Sequence, residues 1–162
     1  MRKMIALACM ALSALAMHGN LSAQQVLPST GNYYRDLGVV LNIVEAVRSI
    51  ADICSEEFPE TRENNEKHLQ IWRVKHMDLL QEIENHRIKI LANPVLGPEY
   101  RRELLDGKVT FKENQRRALA VNGMAGFRAS CDQYGEITRL QRWDLDKSFA
   151  EQLATMRRGP PQ

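Results

Sequence analysis

Three histidines in the middle of the chain are the residues best suited to bind a metal or to move a proton. His68, His76 and His86 fall in a segment that the apolar pattern predicts to be helical. They are separated by eight and ten positions, whereas two ligands on one helix need a spacing of about three or four. Glu82 and His86 do have that spacing, but a metal there would need further ligands from elsewhere. We therefore predict no metal site and interpret Glu82 and His86 as a surface pair.

The chain offers little for nucleophilic or acid catalysis. Five acidic residues lie close together near the boundary of the first two predicted helices: Glu56, Glu57, Glu60, Glu63 and Glu66. Acidic residues at helix starts are ordinary, and Glu60 and Glu63 suit the positive end of the second helix's dipole. The sequence lacks G-x-S-x-G, the turn that presents a nucleophilic serine in α/β-hydrolases. His76 lies on an apolar helix face, which indicates a buried, hydrogen-bonded ring. We predict no catalytic residue, no cofactor and no enzymatic activity.

The N-terminal residues have the three parts of a secretory signal peptide. Arg2 and Lys3 supply positive charge, and the next 14 residues are uncharged and rich in Ala and Leu. Leu21-Ser22-Ala23 ends on a small residue, so we place cleavage after Ala23, with Ala16 as the alternative. The apolar stretch is shorter than the roughly 20 residues that a membrane-spanning helix needs. We therefore predict a cleavable signal over residues 1–23, a mature chain without a transmembrane anchor, and a periplasmic location, with secretion as the alternative.

Export changes the charge balance of the protein. The whole chain has 22 Lys and Arg against 20 Asp and Glu. Removal of Arg2 and Lys3 with the signal leaves equal numbers of the two classes. A neutral, evenly mixed chain has no general attraction for nucleic acid, so we predict no nucleic-acid partner.

Cys54 and Cys131 are the cysteines of the predicted mature chain. In an oxidising compartment two cysteines most often pair, so we predict a disulfide between them. Two buried free thiols that pack as small apolar groups are the alternative. The chain contains no C-x-x-C motif, which argues against a redox enzyme.

Arg139, Arg142 and Trp143 form a possible interface. Trp143 lies at a predicted helix boundary beside charged residues, and it is less clearly directed inward than Trp72, which lies on an apolar stripe. An exposed Trp beside Arg is a common contact hot spot. Three further arginine pairs are interpreted as solvated surface, because acidic residues lie near them in the sequence: Arg101-Arg102, Arg116-Arg117 and Arg157-Arg158.

Apolar residues recur at steps of three and four along most of the mature chain, which predicts helices. The predicted helices are Tyr34–Glu57, a long helix from near Pro59 to Ala92 with a bend near Asn85-His86, a short helix Glu99–Leu105 closed by Asp106-Gly107, a helix from a capping box at Thr110–Glu113 to Tyr134, and a last helix Asp144–Met156. Gly123 and Gly126 share one helix face, which indicates close contact with another helix, and Gly135 is a possible interruption.

No segment alternates polar and apolar residues strongly, so we predict no sheet. The expected fold is all-α: a small antiparallel bundle of four to five helices, cross-linked by one disulfide. A single domain covers residues 34–158, between a flexible leader, 24–33, and a frayed tail, 159–162.

The arrangement of Cys54, Phe58-Pro59 and Trp72, with a second cysteine late in the chain, resembles that of small exported helical proteins of proteobacteria. The resemblance implies no activity. The chain lacks the L-T-x-x-Q repeats of the small helical periplasmic stress chaperones.

Three classes of function remain. We favour a non-enzymatic protein that binds another envelope or periplasmic protein, with an immunity-type inhibitor as a variant. A small-ligand or lipid binder with a cavity between helices is the alternative, and an enzyme that motif analysis misses ranks third. An exposed apolar patch around Trp143 would favour the partner binder, and an enclosed apolar cavity would favour the ligand binder.

Overall fold

The computed structural model describes residues 28–160, with all of their side chains except those of residues 103–109. These residues are largely helical and contain no strand, which confirms the predicted all-α fold. The α-helices in this part of the chain are α1 Tyr33–Glu57, α2 Arg62–Lys75, α3 Met77–Ala92, α4 Leu96–Leu119, α5 Gly123–Asp132, α6 Tyr134–Arg139, α7 Leu145–Ser148 and α8 Ala150–Arg158. Short 3-10 turns cover Pro59–Thr61, Ala120–Asn122 and Gln141–Trp143. The predicted signal peptide, residues 24–27 of the predicted leader and residues 161–162 lie outside the described residues.

Helix α1 is the element that most of the others contact. Asn32 begins it, because its side-chain oxygen accepts a hydrogen bond from the Arg35 N–H at 3.1 Å. The helix ends before Phe58, which has φ −133° and precedes a proline, a position that disfavours helical backbone. The stripe that faces the core is buried and consists of Leu37, Val40, Val47, Ile50, Ala51 and Cys54. The predicted bounds of this helix are confirmed to within one residue.

The long second helix is divided at His76, not bent at Asn85-His86 as we expected. His76 has φ −109° and ψ 19°, and it separates α2 from α3. Its N–H still binds the Trp72 carbonyl at 3.2 Å, and its carbonyl still accepts from Leu80 at 2.8 Å. The division is therefore a kink of one residue.

Contacts with a distant segment explain the kink. Trp72 Nε1 donates to the Trp143 carbonyl at 2.8 Å, and Lys75 Nζ donates to Asp144 Oδ2 at 2.8 Å. Both contacts attach the end of α2 to the same short segment, about 70 positions later in the chain. A local sequence pattern carries no signal for such a contact, so the predicted position of the bend was wrong.

Helix α4 is one continuous helix where we predicted a short helix followed by a second one. It continues through Asp106-Gly107, and Thr110 lies inside it instead of capping a new helix. Glycine in a helix costs about 1 kcal/mol relative to Ala. Contacts near both ends attach the helix to its neighbours: Arg101 donates to the Leu91 carbonyl at 3.0 Å, and Arg116 donates to Glu56 at 2.9 Å.

The chain turns between α4 and α5 at Gly123. Its φ is +76°, a left-handed value that glycine adopts without strain. A Cβ at Gly123 would meet nothing within 4 Å, and one at Gly126 would meet Asn122 of the preceding turn. The predicted close contact of this glycine pair with another helix is therefore wrong.

Gly135 does not interrupt a helix. It lies within α6, where a Cβ would come within 2.5 Å of His68 Nε2 on α2. The glycine therefore allows α6 and α2 to approach each other closely. The predicted last helix is also divided, because Phe149, with φ −123°, separates α7 from α8.

The predicted disulfide is present and joins α1 to α5. Cys54 and Cys131 have their Cα atoms 5.3 Å apart, and 77 positions separate them in the sequence. Both are fully buried. The predicted count of four to five helices is not confirmed, since kinks and turns divide the chain into eight α-helices within residues 28–160.

The described part of the predicted leader is attached to the domain. Ser29 Oγ donates to Asp36 Oδ2 at 2.5 Å, and Thr30 donates to Asp36 Oδ1 from both its N–H and its hydroxyl at 2.9 Å. Asp36 is fully buried, and a buried charge needs such donors. Residues 29 and 30 therefore contact α1 through these hydrogen bonds.

Candidate functional site

A large cleft lies between α1, α2, α3 and α4. Its volume is about 1150 Å³, somewhat above the range of about 300–1,000 Å³ that is usual for small-molecule sites. The apolar side chains of its walls are Leu41 and Val44 of α1, Trp72 and Val74 of α2, Met77, Leu80 and Ile83 of α3, and Phe111 of α4. The cleft is an open groove between helices with a mainly apolar lining.

Helical periodicity places the wall residues next to the core stripe. Leu41 and Val44 follow each other at a spacing of three on α1, and both are half-buried. Met77, Leu80 and Ile83 follow the same spacing on α3, so their side chains lie on one face. These residues extend the core stripe sideways into the cleft.

The path of α4 leaves room for the cleft. Near its start, α4 is held to α3 by the hydrogen bond from Arg101 to the Leu91 carbonyl. Towards its end, α4 is held to α1, because Arg116 forms ion pairs with Glu56 at 2.9 Å and with Glu57 at 3.0 Å. Phe111 lines the cleft between these two attachments.

Charged side chains surround the apolar walls. Arg87 forms a two-pronged pair with Glu84, with N–O distances of 2.6 and 2.7 Å. The hydrogen bond from Arg87 holds the pKa of Glu84 below its ordinary value. Arg48 and Arg73 also line the cleft, and neither forms an ion pair with any residue in the described part of the chain. Among the described side chains the rim therefore has two arginines without an ion pair, although Arg48 is close enough to Glu84 to help lower its pKa, and one carboxylate without an ion pair, Glu45.

The mouth of the cleft exposes apolar side chains. Val74 is 61% exposed and Met77 is 63% exposed. Ile71, one helical turn before Val74, is 50% exposed. Adjacent exposed apolar residues of this kind commonly mark a surface that binds something.

The structure places the predicted interface residues differently from our expectation. Trp143 is only 6% exposed, so it is a core residue. Arg142 lies over its ring at 5.7 Å, and Arg139 pairs with Glu136 at 2.8 Å. Trp72 is a core anchor as predicted, with 3% of its surface exposed.

The pair Glu82 and His86 has separate partners in the structure. Arg157 binds both carboxylate oxygens of Glu82 at 2.9 Å. His86 Nδ1 lies 3.0 Å from the hydroxyl of Tyr33. Each of the two side chains therefore has its hydrogen-bond partner on another helix.

His76 is buried as predicted, but it lacks the expected hydrogen bond. Its side chain has no exposed surface, and neither ring nitrogen has a hydrogen-bond partner in the described structure. Asp146 Oδ2 lies 3.5 Å from Nδ1, which is too long for a good hydrogen bond. Burial lowers the pKa of His76, and the charge of Lys75 lowers it further.

His76 also belongs to the cluster of potential metal ligands that sequence analysis missed. One ligand atom from each of His76, Asp144 and Asp146 lies within 4.8 Å of the other two. The D-x-D spacing of the two aspartates was a signal in the sequence. The third potential ligand, His76, lies on an apolar stripe far away in the sequence and could be identified only from the fold.

One arginine from each of the three other predicted pairs binds an acidic side chain or a backbone carbonyl. Arg157 binds Glu82, Arg116 binds Glu56 and Glu57, and Arg101 binds a carbonyl. Acidic residues from other helices thus neutralise part of the basic surface.

Among residues 28–160, no helix combines the length and the apolar character that crossing a membrane requires. Comparisons of this chain with protein-family models, with curated proteins and with solved structures find no match. The geometry of the cleft is therefore the basis on which a function can be argued.

Proposed function

We propose that this protein is a non-enzymatic binding protein of the cell envelope, and that its cleft takes up the apolar chain of an anionic amphiphile. The observation that carries this proposal is an apolar cleft of about 1150 Å³ whose rim holds two arginines without an ion-pair partner among the described residues. This is the alternative that the sequence had suggested, a ligand or lipid binder, although the cleft is an open groove and not the enclosed cavity expected for that class.

Apolar burial would supply most of the affinity. Each methylene group that leaves water contributes about 0.8 kcal/mol. Met77 and Val74 at the mouth, and Leu80 deeper in the cleft, offer surfaces for such a chain. A ligand that covers Met77 and Val74 would also remove exposed apolar protein surface from water, which adds to the binding free energy.

The rim accounts for the preference for an anion. Arg48 and Arg73 line the same cleft, and a carboxylate or phosphate at its mouth would be within reach of guanidinium donors. Arginine binds such groups through paired N–H donors. Glu84 is already neutralised by Arg87, so it repels an anionic head group less than a free carboxylate would.

Calorimetric titration with decanoate and with uncharged 1-decanol tests the proposal. We expect decanoate to bind the mature protein at one site. Met77→Glu, which places a negative charge at the mouth, should weaken decanoate binding about tenfold or more. The new carboxylate would have to lose water when the apolar chain covers it, and it would repel the anionic head group. Met124→Glu is the matched control, since Met124 is 60% exposed and does not line the cleft.

The charge of the rim is tested separately. The double substitution Arg48→Gln and Arg73→Gln should weaken decanoate binding and leave 1-decanol binding unchanged. Equal affinities of the Met77→Glu and Met124→Glu proteins for decanoate, or no binding by the wild-type protein, would contradict the proposal.

A protein partner is the second candidate, and the exposed residues Ile71, Val74 and Met77 favour it. An amphipathic helix of another envelope protein could lie along this surface. An immunity-type inhibitor would be one case of such binding. A partner that the wild-type and Met124→Glu proteins retain, that Met77→Glu loses and that decanoate does not displace would support this candidate over the first.

The location remains part of the proposal. A signal peptide over residues 1–23 would deliver the chain to the periplasm, where an oxidising environment would keep Cys54 and Cys131 paired. N-terminal sequencing of the native protein from a periplasmic fraction should begin at Gln24. Native protein recovered from the cytosol with Met1 still attached would contradict this location.

A further inference from the structure

The kink between α2 and α3 faces the start of α7, and the two together hold three potential metal ligands. His76 lies at the kink, and Asp144 and Asp146 lie at and just inside the N-terminus of α7. We propose that His76, Asp144 and Asp146 form a binding site for a divalent transition-metal ion of the zinc type. Imidazole and carboxylate groups are common ligands of zinc in proteins.

The buried histidine is the observation that points to a ligand. The side chain of His76 has no exposed surface, and its Nδ1 faces Asp146 Oδ2 at 3.5 Å. Both ring nitrogens lack a hydrogen-bond partner in the described structure. A buried polar group without a partner costs about 1–3 kcal/mol. A metal ion bound to Nδ1 would remove this cost at that nitrogen.

The distance between the donors suits a tetrahedral ion. Zinc binds nitrogen and oxygen ligands at about 2.0–2.2 Å, so neighbouring ligand atoms in a tetrahedral site lie about 3.4 Å apart. The separation of His76 Nδ1 and Asp146 Oδ2 is 3.5 Å. An ion between these two atoms would therefore need little rearrangement of either side chain.

Asp144 is held close to the site by local structure. Its Oδ1 accepts a hydrogen bond from the Lys147 N–H at 3.3 Å, which caps α7. Its side chain is only 7% exposed. The third ligand is therefore already positioned, although its Oδ2 is bound to Lys75 Nζ at 2.8 Å.

Lys75 is the nearer of two cations that compete with the metal ion, since its Nζ lies 2.8 Å from Asp144 Oδ2 and Lys147 Nζ lies 3.8 Å from the same atom. The ammonium group of Lys75 neutralises Asp144 in the structure, but its side chain is 53% exposed and can turn towards solvent. Two carboxylates and a neutral imidazole carry two negative charges, which a divalent ion balances. Asp146, with its side chain 64% exposed, gives the ion a route from solvent.

Zinc titration of the mature, disulfide-bonded protein without an affinity tag tests the proposal, with a chromophoric chelator as competitor. We expect one zinc ion per chain. Asp146→Asn should weaken zinc binding about tenfold or more, because it removes one ligand from an exposed position. Asp52→Asn, which changes another exposed aspartate, is the matched control and should bind zinc as the wild type does.

Two further measurements distinguish this site from others. Lys75→Met should strengthen zinc binding, because it removes the nearer of the two cations that compete for Asp144. In NMR spectra, zinc should shift the ring signals of His76 and leave those of His68 and His86 unchanged. An affinity that Asp146→Asn leaves unaltered, or a lack of stoichiometric zinc binding, would overturn the proposal.

Discussion

Asp36 is a buried charge whose partners come from the segment just before its helix. Ser29 and Thr30 donate three hydrogen bonds to its carboxylate. Burial by itself raises the pKa of Asp36, but the hydrogen bonds from Ser29 and Thr30 outweigh burial, so the pKa lies below its ordinary value. The charged form is therefore the one that the folded protein stabilises.

The effect of replacing Asp36 on the free energy of unfolding should depend on pH. A carboxylate whose pKa is lower in the folded state stabilises the fold above its unfolded pKa, which is about 3.9. This contribution is lost as the pH falls through the folded pKa. At pH 6 we expect Asp36→Asn to lower the free energy of unfolding by about 1–3 kcal/mol, and the difference from wild type should shrink at pH 3.

Urea unfolding at both pH values measures this difference. Asp52→Asn serves as the control, because Asp52 is exposed and its substitution should change stability by less than about 0.5 kcal/mol. If Asp36→Asn destabilised the protein equally at pH 6 and pH 3, the charge of Asp36 would not be the cause.

Side-chain environments were only partly predictable from sequence. His76 lies on an apolar stripe, so its burial was predicted and is confirmed. Its missing hydrogen-bond partner and its approach to Asp146 were not predicted, because the two residues lie on different helices. Trp143 was interpreted as a possible interface residue because of its charged neighbours in sequence, but it is buried, and Trp72 of α2 binds its backbone carbonyl.

At the scale of elements, the start of α4 lies very close to the end of α3. Asn93 caps the start of the turn, because its Oδ1 accepts from the N–H groups of Val95 and Leu96, both at 2.9 Å. Gly97 then lies against the Leu91 carbonyl, where a Cβ would collide with the backbone oxygen. Only glycine allows α4 to start so close to the end of α3.

The contact between Gly97 and the Leu91 carbonyl predicts how a methyl group at position 97 would affect stability. Gly97→Ala should lower the free energy of unfolding by about 1–3 kcal/mol, because the backbone of Leu91 must shift. Chemical denaturation followed by circular dichroism measures the change.

Gly38→Ala is the matched control for Gly97→Ala. A Cβ at Gly38 would meet nothing within 4 Å, and Gly38 lies inside α1. This substitution should therefore stabilise the protein by about 0.5–1 kcal/mol. Stabilisation by Gly97→Ala would show that α3 and α4 are not as close as described.

At the scale of the whole molecule, the disulfide connects the first described helix to the second half of the domain. Cys54 and Cys131 close a loop of 77 positions. The chain-entropy relation predicts a stabilisation of about 4 kcal/mol for a loop of this size. This is a large share of the roughly 5–15 kcal/mol that keeps a domain folded.

We therefore expect the double substitution Cys54→Ala and Cys131→Ala to lower the free energy of unfolding by about 2–5 kcal/mol. Urea unfolding of the variant and of the reduced wild-type protein should give similar losses. Non-reducing peptide mapping should recover Cys54 linked to Cys131. Two free thiols in natively exported protein would contradict the bond.

The sequence by itself was sufficient to predict the all-α class, the extent of α1 and the pairing of Cys54 with Cys131. The first two features depend on information within a few neighbouring residues: apolar spacing and a proline that ends a helix. The pairing followed from the count of two cysteines in a chain expected to reach an oxidising compartment. The predicted signal peptide rests on an equally local pattern, and its residues lie outside the part of the chain that the structure describes.

Tertiary structure decided the kink at His76, the burial of Trp143 and the opening between α1, α2, α3 and α4. Each depends on contacts between helices that are far apart in sequence, such as Trp72 with Trp143 and Lys75 with Asp144, 71 and 69 positions apart. Many arrangements of amphipathic helices bury the same stripes. The arrangement adopted here is set by packing and by a few polar contacts, and that arrangement creates both the cleft and the cluster at His76.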